Sequence, residues 1–204
     1  MARAVAMRDS DQDLTSIVLT RADGPRRASD LTGRRIGVGA GDSPQATLLP
    51  LLHLAEAGLD LASAEVVRHD VLVGKHGDHV GGERDAVRAL LRGDVDAACI
   101  IDGNLMTFTQ EGTVPAGALR VLATTAPYDH CNFTVLDGVD EVALDRFNAL
   151  LFGMSWADVA VRPLMDLEGL KAWRPGRTVG YAALDRACSR FGTIDAFVTA
   201  ASGG

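Results

Sequence analysis

The sequence has few cysteines, no long apolar run and a shortage of positive charge, and each shortage excludes a class of protein. The three cysteines, Cys99, Cys131 and Cys188, are an odd number without a CxxC pair, which argues against a disulfide framework or a cysteine zinc site. No apolar run approaches the roughly 20 residues of a membrane-spanning helix. With 20 Lys and Arg against 27 Asp and Glu, the net charge is −7, so no global basic field attracts nucleic acid or an anionic membrane.

The N-terminal segment also lacks the apolar core of a signal peptide, because Met1 to Ser16 alternate arginine, aspartate and small residues. As written, the chain is therefore expected in the cytoplasm, and a periplasmic or extracellular location would require an export segment outside this sequence. The 47% hydrophobic content over 204 residues predicts a folded chain with a substantial core.

Strand-like and helix-like segments alternate, which predicts an α/β fold with a mainly parallel sheet. The predicted strands are 16–20, 34–38, 64–69, 95–101, 119–124 and 132–136, and the predicted helices are 44–57, 83–92, 103–110, 141–151, 159–170 and 179–191. The run 95–101, which contains Cys99, is apolar enough for a central strand buried on both faces.

Three stretches match the pattern of a known family. DLTGRRIGV at 30–38 is similar to DLKGK-x-VA, PLLHLAEAGLD at 50–60 to P-x-x-x-L-x-x-AGID, and DAVRAL at 85–90 to the start of H-x-A-V-x-A-L-x-x-G-x-x-DAA. On these residues the chain resembles the phosphate/phosphonate-type solute-binding proteins of ABC importers. The resemblance implies a periplasmic-binding-protein-like fold and a small polar or anionic ligand; no cofactor is expected.

The resemblance also implies how the chain divides into lobes. Residues 30–124 are expected to form one complete parallel-rich lobe, and 1–29 with 125–204 the hinge strands and C-terminal helices of an incomplete first lobe, because the family's first βαβαβ block has no counterpart here. Strands 16–20 and 132–136 would normally pack against that block. We therefore expect their apolar faces to be covered in a homodimer.

Candidate ligand contacts lie at two predicted helix starts and in the hinge segment. A glycine-rich loop leads into the first helix, whose free N–H groups and dipole favour anions; Ser43 and Gln45 are the candidates, although the loop also fits an ordinary N-cap. Arg84, at the second helix start, can bind an anion with two hydrogen bonds or remain solvated. The resemblance adds Tyr128 and His130 in the hinge segment.

Histidines and one cysteine allow a metal-binding or catalytic alternative. His76 and His79 are candidate ligands of a divalent metal, completed by His130, Cys131 or Asp78, or they are solvated loop residues. Cys131 with His79 is the candidate catalytic pair, or Cys131 is a small apolar residue. Neighbouring side chains on a strand point to opposite faces, which argues against a pair formed by His130 and Cys131.

Three functions are compatible with these residues. The first is a small-molecule binding protein resembling a phosphonate ABC-transporter substrate-binding component. The second is a cytoplasmic biosynthetic enzyme, lyase- or decarboxylase-like, on the same scaffold, so the sequence leaves open whether the protein is an enzyme. The third is a truncated binding fold that acts by protein association. None of the three requires nucleic acid as a partner.

Overall fold

The computed structural model describes residues 2–70 and 80–193. His76 and His79 lie outside the described residues, so their roles stay predictions. The chain divides into two compact units: unit 1 comprises Met1–Leu14 and Pro127–Ala182, and unit 2 comprises Thr15–Ala126 and Ala183–Gly204. The predicted lobe 30–124 falls within unit 2, and its boundaries stay a prediction.

The described residues contain eight strands and six α-helices. The strands are β1 (Ala2–Arg8), β2 (Ser16–Arg21), β3 (Arg35–Val38), β4 (Glu65–Arg68), β5 (Ala97–Ile101), β6 (Leu119–Thr124), β7 (Phe133–Leu136) and β8 (Trp173–Pro175). The helices are α1 (Leu49–Glu56), α2 (Val80–Arg92), α3 (Asp102–Gln110), α4 (Glu141–Gly153), α5 (Arg162–Leu167) and α6 (Ala182–Phe191). The predicted α/β fold is confirmed, although β1 and β8 were not among the predicted strands. None of the described helices is both long and apolar enough to cross a membrane.

The strands of unit 2 form one mixed sheet in the order β4-β3-β5-β2-β6. Strand β3 is parallel to β4 and β5, whereas β2 is antiparallel to β5 and β6. All strands except β2 therefore run in one direction, as expected for a parallel-rich lobe. Because β3 and β4 are parallel, they end at the same edge of the sheet, and ligands of α/β proteins bind at such carboxyl edges.

Strand β5 is buried on both faces, as its apolar sequence predicts. Alternate residues of β5 and β2 enter separate cores, since strand side chains have a period of two. The core covered by α2 contains Ile17, Leu19, Val87, Leu90, Ala98 and Ile100. The core covered by α1 contains Val18, Leu51, Leu54, Ala97 and Cys99. The helices α1 and α2 thus lie on opposite faces of the sheet.

Strand β2 does not need a further βαβαβ block to cover it, contrary to our expectation. It lies inside the sheet between β5 and β6, and its residues from Ser16 to Thr20 are buried. The apolar side chains of β2 supply both cores, and its backbone is paired along both edges. This strand therefore offers no surface to a second copy of the chain.

Unit 1 is built on a three-stranded antiparallel sheet in the order β7-β1-β8. Its central strand β1 buries Ala6 and Met7. The helix predicted over 159–170 is shorter than expected, because Pro163 occupies the first turn of α5 and Gly169, at φ +68°, reverses the chain after its last turn.

A buried carboxylate anchors α2 to the end of β5. Glu83 is only 1% exposed. Its Oε2 accepts hydrogen bonds from the backbone N–H of Ile101, at 2.9 Å, and from Nδ2 of Asn104, at 2.8 Å. Since Ile101 ends β5 and Asn104 lies in α3, this one side chain joins three elements.

We expect Glu83→Ala to lower the free energy of unfolding by about 1–3 kcal/mol, because a partly buried N–H loses its acceptor. Denaturant unfolding followed by circular dichroism measures the change. Asp85→Ala is the matched control, since this carboxylate on the same helix is 48% exposed and its removal should cost no more than about 0.5 kcal/mol. Equal losses in the two variants would contradict the anchoring role.

Candidate functional site

The turn between β3 and the first helix of unit 2 is tightly packed. A Cβ on Gly39 would lie 2.7 Å from Cβ of Ala46, so only glycine lets the chain turn this closely. The Oγ of Ser43 accepts a hydrogen bond from the Ala46 N–H at 3.2 Å, and the Thr47 hydroxyl donates to the Ala40 carbonyl at 2.7 Å. The π-helical turn Pro44–Leu48 therefore starts from a fixed position.

A cavity of about 560 Å³ adjoins this turn at the carboxyl edge of β3 and β4. Its walls include Gly41, Asp42, Thr47, Leu48, Leu51, Arg68, Asp70, Phe191 and Thr193. The Gly41 N–H donates to Oδ1 of Asp70 at 3.1 Å. Nη1 of Arg68 lies 3.5 Å from where a Cβ on Gly41 would be, so the guanidinium sits over the turn.

Arg68 supplies the positive charge of this cavity. Its side chain is exposed, and within residues 2–70 and 80–193 it has neither an ion pair nor a side-chain hydrogen bond. No motif in the sequence singles out Arg68. The signal that points to it is its place at the end of a strand parallel to its neighbour, where ligand-binding residues of α/β sheets lie.

Neither of the predicted contacts on this turn lines the cavity. Ser43 is 2% exposed, and its oxygen is engaged as the helix N-cap, which is the ordinary alternative noted for this loop. Gln45 is half-buried, and its Oε1 is buried without a hydrogen-bond partner in the described part of the chain. Their predicted ligand-binding roles stay predictions.

Arg84 lies on α2, on the other face of the sheet, and is already paired. Its Nε and Nη2 donate to the two carboxylate oxygens of Glu111 at 2.7 and 3.2 Å. Its guanidinium carbon also lies 5.0 Å from the centre of the Phe108 ring. An anion at Arg84 would therefore compete with Glu111, a cost that the sequence alone did not reveal.

Unit 1 contains a cluster of side chains around His130. Nδ1 of His130 lies 3.1 Å from Sγ of Cys131 and 3.4 Å from Oδ1 of Asp11. We expected adjacent side chains to diverge, and this expectation was wrong: residues 129–132 are not in a strand, so the alternation of strand side chains does not apply. Asp11, which no sequence motif indicates, is 2% exposed.

Opposite charges on Asp11 and its two neighbours, Arg8 and His130, stabilise this cluster. Nε and Nη2 of Arg8 donate to Asp11 at 2.6 and 3.0 Å. Burial raises the pKa of Asp11, but the hydrogen bonds from His130 and Arg8 outweigh it and hold the pKa at about 2. The hydrogen bond to Asp11, followed by the contact with Cys131, raises the pKa of His130 to about 9. His130 is therefore a cation at neutral pH.

Tyr128 is not an exposed ligand contact. It is 1% exposed, and its backbone pairs with Leu14 through two hydrogen bonds of 2.8 Å. Burial of this ring leaves little surface for a ligand, and the predicted ligand contact of Tyr128 stays a prediction.

The carboxylate of Asp129, which is the next residue after Tyr128 and was not among the predicted site residues, organises unit 1. Asp129 is 1% exposed and accepts hydrogen bonds from Nε and Nη2 of Arg177 at 2.7 and 2.6 Å. A third hydrogen bond comes from the Asp13 N–H at 3.1 Å. A Cβ on Gly180 would lie 2.2 Å from this carboxylate, so glycine is required beside it.

Comparison with known proteins identifies the family. Residues 1–186 match the family described as ABC transporter, phosphonate, periplasmic substrate-binding protein. The chain belongs to this family. The predicted resemblance and the small-molecule binding function are confirmed, and nothing in the comparisons favours the enzyme alternative. No curated protein matches the sequence.

Several solved structures share the fold of this chain. PhnD1 from Prochlorococcus marinus, in complex with methylphosphonate, has a TM-score of 0.72 at 12% identity and covers 94% of this chain and 71% of its own. XAC2383 from Xanthomonas citri, bound to ATP, scores 0.70 at 17% identity, with 92% and 70% covered. The aliphatic sulphonate binding protein SsuA from Escherichia coli scores 0.60 at 17%, with 95% and 65% covered. At these identities the likeness shows the fold alone.

We expect the cluster around His130 to make the stability of the protein depend on pH. A histidine whose pKa is raised on folding stabilises fully below its unfolded value of about 6.5 and loses that contribution as pH rises through about 9. Asp11, whose pKa is lowered, loses its contribution as pH falls from about 4 to about 2.

Thermal unfolding between about pH 5 and about pH 10 measures the alkaline limb of this dependence. His130→Gln should flatten that limb, since it removes a charge-assisted bond worth about 1.5–3 kcal/mol. His53→Gln, which removes a histidine of α1 in unit 2, is the control and should keep the wild-type profile. A limb that persists in His130→Gln would contradict this assignment.

Proposed function

We propose that the protein binds a small anionic ligand of the phosphonate or phosphate class in the cavity of unit 2, as a substrate-binding component of an ABC transporter. The observation that carries the proposal is Arg68, whose guanidinium lies over the Gly41 turn beside that cavity. A guanidinium presents five N–H donors in a planar fork that suits phosphoryl oxygens. The cavity thus offers donors and charge together.

The acidic residues of the cavity restrict the ligand further. The carboxylate of Asp70 accepts the Gly41 N–H, so this donor is already used, and Asp42 adds a second negative group to the wall. A purely anionic ligand would meet repulsion from both. A ligand that carries an ammonium or another donor group beside its anionic group fits the three side chains better.

Arg84 and His130 remain secondary candidates for ligand contact. Arg84 would need to leave Glu111, to which it makes two hydrogen bonds. His130 is 29% exposed and already faces Asp11. We therefore assign the main contact to Arg68, whose charge has no such competitor among the described residues.

The family also bears on the compartment. Its description places its members in the periplasm. Of the two locations considered from the sequence, we propose the periplasmic one.

Substitution of Arg68 tests the proposed binding site. We expect Arg68→Gln to weaken binding of an aminoalkylphosphonate about 10- to 100-fold, because a charge-assisted hydrogen bond worth about 1.5–3 kcal/mol is lost. Isothermal titration calorimetry measures the affinity. The alkylphosphonate of equal chain length should bind more weakly to the wild type, and Asp70→Asn, which keeps an acceptor for Gly41, should reduce the difference between the two ligands.

Two further variants separate the alternatives. Arg88→Gln is the matched control, since Arg88 is an exposed arginine of α2, and it should leave the affinity unchanged. Loss of binding in Arg84→Gln but not in Arg68→Gln would support the sequence-based hypothesis and overturn the present assignment. Binding that is unchanged in both variants would overturn the proposal for this cavity.

We also propose that two copies of the chain associate through unit 1. Strand β7 is an edge strand, and β7 and α4 expose large apolar side chains: Phe133, Leu136, Val142, Phe147, Leu150 and Phe152. Exposed apolar patches beside an open sheet edge favour pairing with a second copy.

Light scattering coupled to size exclusion should give twice the 21.5 kDa mass of one chain. Leu136→Lys combined with Leu150→Glu should return the protein to one chain per particle, because two charges would be buried in the interface. Leu167→Lys, on α5 outside this patch, is the control and should leave the mass unchanged. A wild-type particle of one chain at micromolar concentration would overturn the dimer.

A further inference from the structure

We propose that Asp11, His130 and Cys131 form a zinc site in unit 1. The three residues offer an oxygen, a nitrogen and a sulfur ligand, and these atoms all lie within 4.8 Å of one another. Zinc is the divalent metal that most commonly accepts such a mixed set, with bonds of about 2.0 Å to nitrogen and oxygen and about 2.3 Å to sulfur. This site is separate from the ligand cavity of unit 2 and does not depend on the function proposed for it.

The distances between the ligand atoms suit a tetrahedral ion. Tetrahedral zinc separates its nitrogen and sulfur ligands by about 3.5 Å and its nitrogen and oxygen ligands by about 3.3 Å. In this cluster Nδ1 of His130 lies 3.1 Å from Sγ of Cys131 and 3.4 Å from Oδ1 of Asp11. The same imidazole nitrogen lies close to both other ligand atoms, and all three atoms lie within 4.8 Å of one another, so one ion can bind all three.

Neighbouring groups hold the carboxylate and set the charge. Arg8 donates two hydrogen bonds to Asp11, and it can keep its bond to Oδ2 while Oδ1 turns to the metal, as outer hydrogen bonds do in metal sites. Arg8 also lies 3.9 Å from Glu168. With Cys131 as a thiolate and His130 neutral, the negative groups are Asp11, Cys131 and Glu168, and the positive group is Arg8. The net charge of −2 is balanced by one Zn²⁺ ion. The displaced protons pass to solvent.

The cluster opens onto a cavity of about 270 Å³ whose walls include Asp11, Cys131, Asn132 and Trp173. Zinc sites with three protein ligands take a water as the fourth ligand, and this cavity provides the space for one.

Titration of the full chain with Co²⁺ and Zn²⁺ tests the site. Co²⁺ should give the thiolate-to-cobalt charge-transfer band and the intense visible bands of tetrahedral coordination, and Zn²⁺ should bleach both at one equivalent. Zn²⁺ should also slow alkylation of Cys131 relative to Cys188, followed by mass spectrometry. This second measurement needs no variant, so it decides the matter even if a substitution unfolds the protein.

Variants then locate the ligands. Cys131→Ser and His130→Gln should weaken Zn²⁺ binding by at least about 10- to 100-fold, the loss that even outer-ligand substitutions cause, and Cys131→Ser should abolish the charge-transfer band. Cys188→Ser is the matched control and should keep the band. The double variant His76→Gln/His79→Gln should also keep the charge-transfer band.

Three results would overturn the proposal. One is a wild-type Co²⁺ spectrum without a thiolate band, and the second is a band that survives in Cys131→Ser. The third is loss of binding in the double variant His76→Gln/His79→Gln alone, which would assign the metal to His76 and His79 instead.

Discussion

Strand β5 has no polar face, and the structure of unit 2 depends on covering it on both sides. Its residues from Ala97 to Ile100 are buried, so a helix must pack on each face of the sheet. The crossover from β3 to β4 supplies α1 for one face, and the crossover from β4 to β5 supplies α2 for the other. This arrangement places Arg68 at the sheet edge beside α1, whereas Arg84 is carried away on α2.

Unit 1 depends instead on buried charge. Asp129 is paired with Arg177, and the same guanidinium donates to Asp13 at 2.8 Å. Asp13 has φ +55° and is the one non-glycine residue with positive φ in the described part of the chain. Since a left-handed backbone costs an aspartate energy, these hydrogen bonds offset a local strain. Three distant segments of the sequence are thereby held together by one guanidinium and one buried carboxylate.

The sequence predicts the parts that follow from local periodicity. The apolar run in 95–101 and the apolar spacing in 44–57 and 83–92 specify the two-faced sheet of unit 2 correctly. The sequence does not predict β1, because the alanines and arginines of this strand carry little strand preference. The burial of Asp129 and Glu83 was also missed, because their partners lie 48 and 18 or more residues away and no local pattern separates a buried carboxylate from a solvated one.

The same limit explains which site residues the sequence identified. His130 and Cys131 were selected because their chemistry is rare in this chain, but their convergence depends on Asp11, which lies far away in the sequence.

Three acids of the two units are already committed to protein donors: Glu83 to Ile101, Asp70 to Gly41 and Asp129 to Arg177. A group can exchange partners at little cost only when no buried bond must be broken. Arg68 in unit 2 meets this condition among the described residues, and so does the thiol of Cys131, whose contact is with an imidazole that also binds metals. We therefore place the proposed ligand contact in unit 2 and the proposed metal site in unit 1, since Arg68 and Cys131 can each take a new partner without breaking a buried hydrogen bond of their own.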